Sequence, residues 1–515
     1  MTLARAARIR PLPPHRLAGL VRAVRRYRLG AAPAIGALRF RDATALVDEH
    51  GTLTFEDLDV RSNALANAWR ALGAGEGTGI GVLCRNHRGF VDAVNAAGKV
   101  GARAVLLNTE FAPPQAAEVC RREGVELLVH DDEFHEVAAA VDAPYGRHVA
   151  WGAAGEGPTL EELIATGAPQ PPPRLARSGT IVLLTSGTTG LPKGAQRSSP
   201  RSLTTAAGVI AAIPYRSGEA TFVAPPFFHA WGLTNLLVTL ALGSTVVTHR
   251  RFEPGRVLGA LGAHGCTGLV VVPVMLRRLV AAADAGADDA LALRFIAVSG
   301  SQLDGALAGR AMDVFGDVVY NLYGSTEVAV VAIAGPDDLR VAPGCAGRPP
   351  GGVSLRVLDD QGQPVGPGVV ARIFASNGAE FSGYTGGGGK QVIDDHMATG
   401  DVGHVDEQGR LFVDGREDDM IVSGGENVFP GEVEDLLAAH PDIIEAAVKG
   451  VPDADFGHRL RAFVVLRDGA TLDADAVRAH VRANLARYKV PRDVVFVDHL
   501  PRTATGKVLK RELEP

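Results

Sequence analysis

The 515-residue chain is 46% hydrophobic and 21% charged, with a formal net charge of −6. At roughly 150 residues per unit its length allows about three structural units around a large core. The acidic balance gives no pull toward nucleic acid, and no apolar run approaches the roughly eighteen residues that a membrane helix needs. Four widely spaced cysteines, Cys84, Cys120, Cys266 and Cys345, form no CxxC pair. That argues against a disulfide frame or a zinc site and fits a reducing cytoplasm.

The first forty residues stand apart, with nine arginines and no acidic residue before Asp42. Leu17, Leu20, Val21 and Val24 fall on one helical face, with Arg22, Arg25, Arg26 and Arg28 elsewhere. Such an amphipathic basic helix can dock on the body of the protein, the first expectation, or make weak contact with an anionic membrane surface. It carries no apolar stretch followed by a small-residue cleavage site, so secretion is not expected.

From Gly79 to Tyr323, short β-rich runs alternate with helical stretches. Strands are expected at Gly79–Leu83, Ala104–Leu107, Leu127–His130, Thr245–His249, Leu269–Val272, Phe295–Val298 and Val318–Leu322. Helices are expected at Pro113–Arg122 and Pro273–Ala283. This alternation predicts a largely parallel sheet covered by helices. Pro169–Pro173 reads as a loop.

The next segment, Ile181-Val-Leu-Leu-Thr-Ser-Gly-Thr-Thr-Gly-Leu-Pro-Lys-Gly-Ala195, is the most informative in the chain. An apolar strand, Ile181–Leu184, opens into a loop rich in glycine and hydroxyls. Glycine lets successive N–H groups converge on an anion, hydroxyls add donors, and Lys193 adds a charge for phosphate oxygens. The Gly-Lys-Ser/Thr ending of a Walker A loop is missing. This is a phosphate-gripping loop of another design.

Beyond Pro343 the texture becomes strand-turn-strand (Val353–Leu358, Val369–Ser376), which predicts a small β-subdomain. After Arg416 comes an α+β segment with helices at Pro430–Ala439 and Ala474–Leu485 and strands at Ala462–Leu466 and Val494–Val497. The glycine run Gly386–Gly389 has no evident physical reason in the sequence.

The pattern T-S-G-T-T-G-x-P-K-G resembles the signature of the acyl-adenylate-forming superfamily, which comprises acyl-CoA synthetases, adenylation domains and luciferases. Its further landmarks follow in order: Tyr323-Gly324-Ser325-Thr326-Glu327, Thr399-Gly400-Asp401, Gly415-Arg416-Glu417-Asp418-Asp419-Met420-Ile421 and Pro501-Arg502-Thr503-Ala504-Thr505-Gly506-Lys507. The resemblance implies an α/β fold with a large N-terminal domain of helix-covered sheets, residues 1–415, bearing a small β-subdomain. A small mobile α+β C-terminal domain, residues 416–515, would turn on a hinge near Asp418.

By the same resemblance, Thr185, Ser186, Gly187, Thr188, Thr189, Gly190 and Lys193 hold the ATP phosphates, and Thr185 and Glu327 the Mg²⁺ ion. Gly300, Ser301, Gln302, Tyr323, Gly324, Ser325 and Thr326 flank the adenine and its phosphates. Asp401 and Arg416 take the ribose. Lys507 reaches the α-phosphate and the acyl carboxylate, and Ser423, Gly424 and Gly425 line the path of coenzyme A. His229, Trp231, Ser299 and Gly324 belong to the acyl pocket, with His229, Glu327 and Lys507 as catalytic residues.

The stretch Phe227-Phe228-His229-Ala230-Trp231-Gly232 has no acid to meet a substrate ammonium, so an amino acid is not expected. Ser423–Glu434 looks most like fatty acyl-CoA ligases. The expected activity is therefore an ATP-dependent acyl-CoA synthetase acting on a medium- or long-chain fatty acid. The alternative is an enzyme of a specialised pathway acting on a bulky ring-bearing acid, running one half-reaction or loading a carrier protein. No carrier domain is seen after Lys507, and both half-reactions have their landmark residues. The oligomeric state stays open, a homodimer included.

Overall fold

The computed structural model describes residues 14–153, 157–185, 193–197, 204–284, 291–385, 387–417, 421–423, 426–428, 430–453, 457–485, 489–503 and 506–514. It is a mixed α/β protein whose chain divides into two compact units. The first comprises residues 1–271, 281–297 and 378–389, and the second residues 272–280, 298–377 and 390–515.

The first unit holds a six-stranded sheet in the order Arg147–Trp151, Val125–Asp131, Gly79–Leu83, Arg103–Leu106, Thr180–Thr185, Lys193–Arg197. All neighbours run parallel except the last pair, an antiparallel hairpin. Gly79–Leu83 is buried at every position, the pattern of a strand covered on both faces by crossover helices. A second run of strands pairs Cys266–Val271, Ala220–Val223, Thr245–Val247 and Thr44–Asp48 in parallel, closed by antiparallel Gly51–Thr54.

Local chemistry marks the helix ends. Thr54 and Asp57 form a reciprocal capping box for Phe55–Ala71, and Thr159 and Glu162 do so for Leu160–Thr166. Gly101, at φ +74°, ends Arg88–Val100 in the left-handed conformation that glycine adopts without strain. Trp69, Phe90 and Phe227 are fully buried; a large apolar side chain gains about 1.5–3 kcal/mol on such burial.

The basic helix spans Pro14–Tyr27 and docks on the body of its unit. Arg26 donates from Nε to Pro172 O at 2.7 Å and from Nη2 to Pro171 O at 2.9 Å, and Leu175 N–H donates to Arg26 O at 2.9 Å. Tyr27 is 2% exposed, and the Lys99 ammonium lies 5.8 Å from its ring centre. The proline-rich loop thus supplies carbonyl acceptors, which no proline N–H competes for.

The second unit contains the hairpin Val319–Ser325 and Ala329–Ala334. It also has an antiparallel sheet of Ser354–Leu358, Ala371–Ser376, His396–Val405, Val392–Ile393 and Leu411–Arg416, the expected β-subdomain texture. A last sheet joins Glu426–Val428, Ile421–Ser423, Gly457–Leu466, Ile443–Asp453 and Asp493–Phe496, packed by Pro430–Ala438 and Ala474–Asn484. The four cysteines are free and buried, and no described helix is long and apolar enough to cross a membrane.

Candidate functional site

The glycine-rich loop is closed at its base by the hairpin of the first unit. Thr185 and Lys193 are direct cross-strand partners, so Lys193 is the first residue of a strand rather than part of the loop. Ser186, Gly187, Thr188, Thr189 and Gly190 lie outside the described residues. The Lys193 ammonium lies 5.3 Å from the Tyr384 ring centre. Tyr384 is held there by a bridge to Ala195 and by Thr385 N–H donating to Gly194 O at 2.9 Å.

This explains the glycine run. Gly387 N–H donates to Tyr384 O at 3.0 Å, and Gly387 and Gly388 have φ of +85° and +86°. Only glycine takes two consecutive positive-φ residues cheaply, and Gly388 O accepts from Tyr384 N–H at 3.3 Å, which closes the turn beside the ring that meets Lys193. The sequence reading missed Tyr384, and the consecutive glycines beside it were the available signal.

In the second unit, two landmark residues converge on the carboxylate of a third. Asp401 and Arg416 are cross-strand partners, with Arg416 Nε 3.4 Å from Asp401 Oδ1. Tyr323, 78 residues away, donates its hydroxyl to Asp401 Oδ2 at 2.5 Å. Thr399 Oγ1 donates to Ile373 O and accepts from the Asp401 N–H, both at 3.0 Å. Gly400, at φ +85°, takes a left-handed conformation that favours glycine, and Lys390 Nζ lies 2.8 Å from where a Cβ would stand. Lys390, which the sequence reading also missed, donates to Thr399 O at 3.5 Å and acts on the same carboxylate through its charge.

Burial pushes the Asp401 carboxyl above its usual range, against the pull of Arg416, the Tyr323 hydroxyl, Lys390 and Lys507. Burial and Asp401 raise the Tyr323 phenol well above its ordinary value, so it stays a donor. A buried carboxylate held up by desolvation gains from further donors. Two adjacent sugar hydroxyls are such donors.

Other landmarks are placed less directly. Gly324 faces the Ala329 carbonyl so closely that a Cβ would lie 2.0 Å from the oxygen, so the hairpin itself demands glycine there. Ser325 Oγ accepts from Val328 N–H at 3.1 Å. Thr326 and Glu327 are half-buried in the turn that follows, Ser299 is buried, and Ser301 is half-buried. Gly300 has φ +98°. Exposed Gln302 donates to Asp435 Oδ2 at 2.9 Å.

Lys507 is exposed on a turn in which Thr503 N–H donates to Lys507 O at 2.8 Å and Gly506 has φ +79°. Ser423 is paired with Glu426 and Gly457, while Gly424, Gly425 and Asp418 lie outside the described residues.

His229 stands just before helix Ala230–Ala241, at the end of a loop pinned by Asn86. Asn86 Oδ1 accepts from Phe227 N–H at 2.8 Å, and its Nδ2 donates to Pro225 O at 2.9 Å. Phe227 and Phe228 are buried, and the Phe228 ring lies 4.5 Å from the imidazole. The indole of Trp231 is fixed by its N–H donating to Val271 O at 3.0 Å. His229 Nε2 is shielded from solvent and has no hydrogen-bond partner among the described residues.

Burial lowers the pKa of His229 to about 4, and likewise that of His148, whose Nδ1 accepts from Trp69 Nε1 at 3.1 Å. With folded values below the usual 6.5, the unfolded chain binds more protons between the two. Stability is therefore full above pH 6.5 and falls as pH drops toward 4, by up to about 3 kcal/mol per histidine. NMR titration is expected to find both rings neutral down to about pH 5. A midpoint near 6.5 for either would overturn that assignment.

A second cluster brings Cys84, His87 and Asp131 together in the core. Its polar atoms are already engaged within the protein. Asp131 accepts from His87 Nε2 at 2.7 Å and from Arg85 N–H at 3.0 Å, and lies 3.4 Å from Arg250. His87 Nδ1 accepts from Gly89 N–H.

The AMP-binding enzyme family matches residues 35–385, and the AMP-binding enzyme C-terminal domain matches residues 432–507. The chain is 34% identical to a feruloyl-CoA synthase of Amycolatopsis sp, over 95% of this chain and 99% of that protein. It is 32% identical to the fatty acid–[acyl-carrier-protein] ligase ScoC of Streptomyces coeruleorubidus, over 91% and 92%. The o-succinylbenzoate CoA synthetase of Bacillus subtilis, solved with its acyl-adenylate intermediate, superposes with a TM-score of 0.82 at 27% identity, covering 94% of this chain and 98% of that one. That enzyme has also been solved with ATP and a magnesium ion.

Proposed function

Because the chain belongs to the AMP-binding enzyme family and is an AMP-forming acid–thiol ligase, we propose that its substrate is a hydrophobic, ring-bearing carboxylic acid. The carboxylate attacks the α-phosphate of ATP to give acyl-AMP and pyrophosphate. The thiol of coenzyme A then attacks the acyl carbonyl, releasing AMP and leaving the thioester.

The observation that carries the choice of acid is the shielded His229 Nε2, which has no hydrogen-bond partner among the described residues and whose ring lies against Phe228, in a stretch that also holds Phe227 and Trp231. These are flat side chains, the two phenylalanines buried and the Trp231 indole fixed by its bond to Val271 O. Aromatic pairs gain about 0.5–1.5 kcal/mol beyond their buried area, while a flexible acyl chain loses rotamer freedom on binding. The neutral imidazole can hydrogen-bond a polar ring substituent or the carboxyl group. The feruloyl and succinylbenzoyl names of two relatives point the same way. The fatty acid expected from Ser423–Glu434 becomes the second reading, supported by the relative named as a fatty acid ligase.

Within this reading, Asp401 and Arg416 take the ribose, with Tyr323 beside the adenine. Lys193 and the hydroxyl-rich loop take the phosphates. Glu327 and Thr185 offer oxygen donors of the kind Mg²⁺ prefers, and the ion would neutralise phosphate charge. Carboxylate and phosphate are both anions, so these groups act mainly by positioning them and offsetting their repulsion.

A panel from octanoate to palmitate, with phenylpropenoate, arylacetate and polycyclic acids, tests the acid in pyrophosphate exchange and thioester formation. The highest kcat/KM is expected on a ring-bearing acid, by about tenfold or more, the scale of 1.4 kcal/mol in the transition state. A maximum on palmitate or octanoate would overturn the reading in favour of the fatty acid.

A further inference from the structure

The docked basic helix leaves a second face uncommitted. Ala23 and Tyr27 point into the body, at 7% and 2% exposure, whereas Val21 and Val24 on the outer side are 45% and 43% exposed. Ala18, Arg22 and Arg25 are exposed beside them. At 100° per residue these five positions form one continuous outward stripe, with the valines at one edge and the arginines along the rest.

We propose that this outer face of Pro14–Tyr27 is a docking surface for an anionic lipid bilayer. The argument rests on charge and shape together. A chain of net charge −6 gathers nine arginines and no acid into its first forty residues, so this end is the part drawn to a negative surface. Juxtaposed basic residues are attracted to anionic lipid within a Debye length. Valines exposed on a rigidly held helix add shallow apolar contact with the headgroup region, the mode of interfacial amphipathic helices.

Phosphate recognition on nucleic acid has no use for that valine edge. The inner contacts, Arg26 to the Pro171 and Pro172 carbonyls, fix the helix on the protein while its outer side binds. A hydrophobic acid partitions into the same bilayer, so the surface would bring the enzyme to its substrate.

The test is co-sedimentation of the full-length protein with vesicles, without substrate. Phosphatidylcholine vesicles containing phosphatidylglycerol should bind it at least about tenfold more tightly than pure phosphatidylcholine vesicles, and about 0.5 M salt should release it. The double variant R22E/R25E should lower binding to the anionic vesicles by about tenfold or more. V21S/V24S should weaken it while leaving the salt dependence. All four side chains are exposed, so ligase activity on dissolved acid and thermal unfolding should stay unchanged.

Equal binding to both vesicle types, or anionic-vesicle binding unchanged in R22E/R25E, would overturn the proposal. So would preferential binding to a duplex oligonucleotide with no vesicle retention, which would assign the face to nucleic acid. Each outcome is read without turnover and is independent of which acid the enzyme activates.

Discussion

Lys507→Ala is expected to lower acyl-AMP formation by about a hundredfold or more, the scale for removing one oriented group that meets transition-state charge. Thioester formation from supplied acyl-AMP should be retained. As carboxylate attacks the α-phosphate, negative charge builds at the reacting centre, and a cation there contributes more to the transition state than to the bound substrates.

The structure makes the experiment clean. Lys507 is exposed, and its turn is held by backbone bonds to Thr503, by the left-handed Gly506 and by an Arg502–Glu445 ion pair, none of which involves the ammonium. Its charge already reaches Asp401. Pyrophosphate exchange and single-turnover thioester formation, measured separately, decide the matter. Equal losses in both half-reactions would overturn the assignment.

Asp418→Pro is expected to spare adenylation and to cut thioester formation by about tenfold or more, since proline fixes φ near −65° and a rotating domain needs that torsion free. The chain here leaves one sheet and enters another. Leu411–Arg416 is a strand of the β-subdomain, and Ile421–Ser423 opens the C-terminal sheet. Glu417 N–H, donating to Gly400 O at 3.0 Å, is the last described backbone anchor before the crossing. Between them lies the proposed pivot, which would withdraw Lys507 and present Ser423, Gly424 and Gly425 to coenzyme A. Normal overall turnover in the variant would place the pivot elsewhere.

The sequence by itself determined the family, the order of the landmarks and most of the elements. Helix Pro113–Arg122 and strand Phe295–Val298 have the bounds read from the residues, because apolar periodicity and flanking proline or glycine act over a few residues. The four landmarks beyond the phosphate loop were legible for the same reason, each being a short run of adjacent residues. Two positions escaped that local logic. Gly324, placed in the acyl pocket by the family resemblance, is also required by a cross-strand close approach visible only in three dimensions, and the Gly387–Gly388 turn gains its sense only beside Lys193.

Only the tertiary structure decided that Tyr323 and Arg416 meet on Asp401. It also decided that Arg26 meets carbonyls 145 and 146 residues away, and that His229 keeps a shielded nitrogen without a partner among the described residues. These depend on which distant segments close into contact and on how much water they exclude. Desolvation and long-range pairing are properties of the packed chain, and neither is written in the spacing of neighbours.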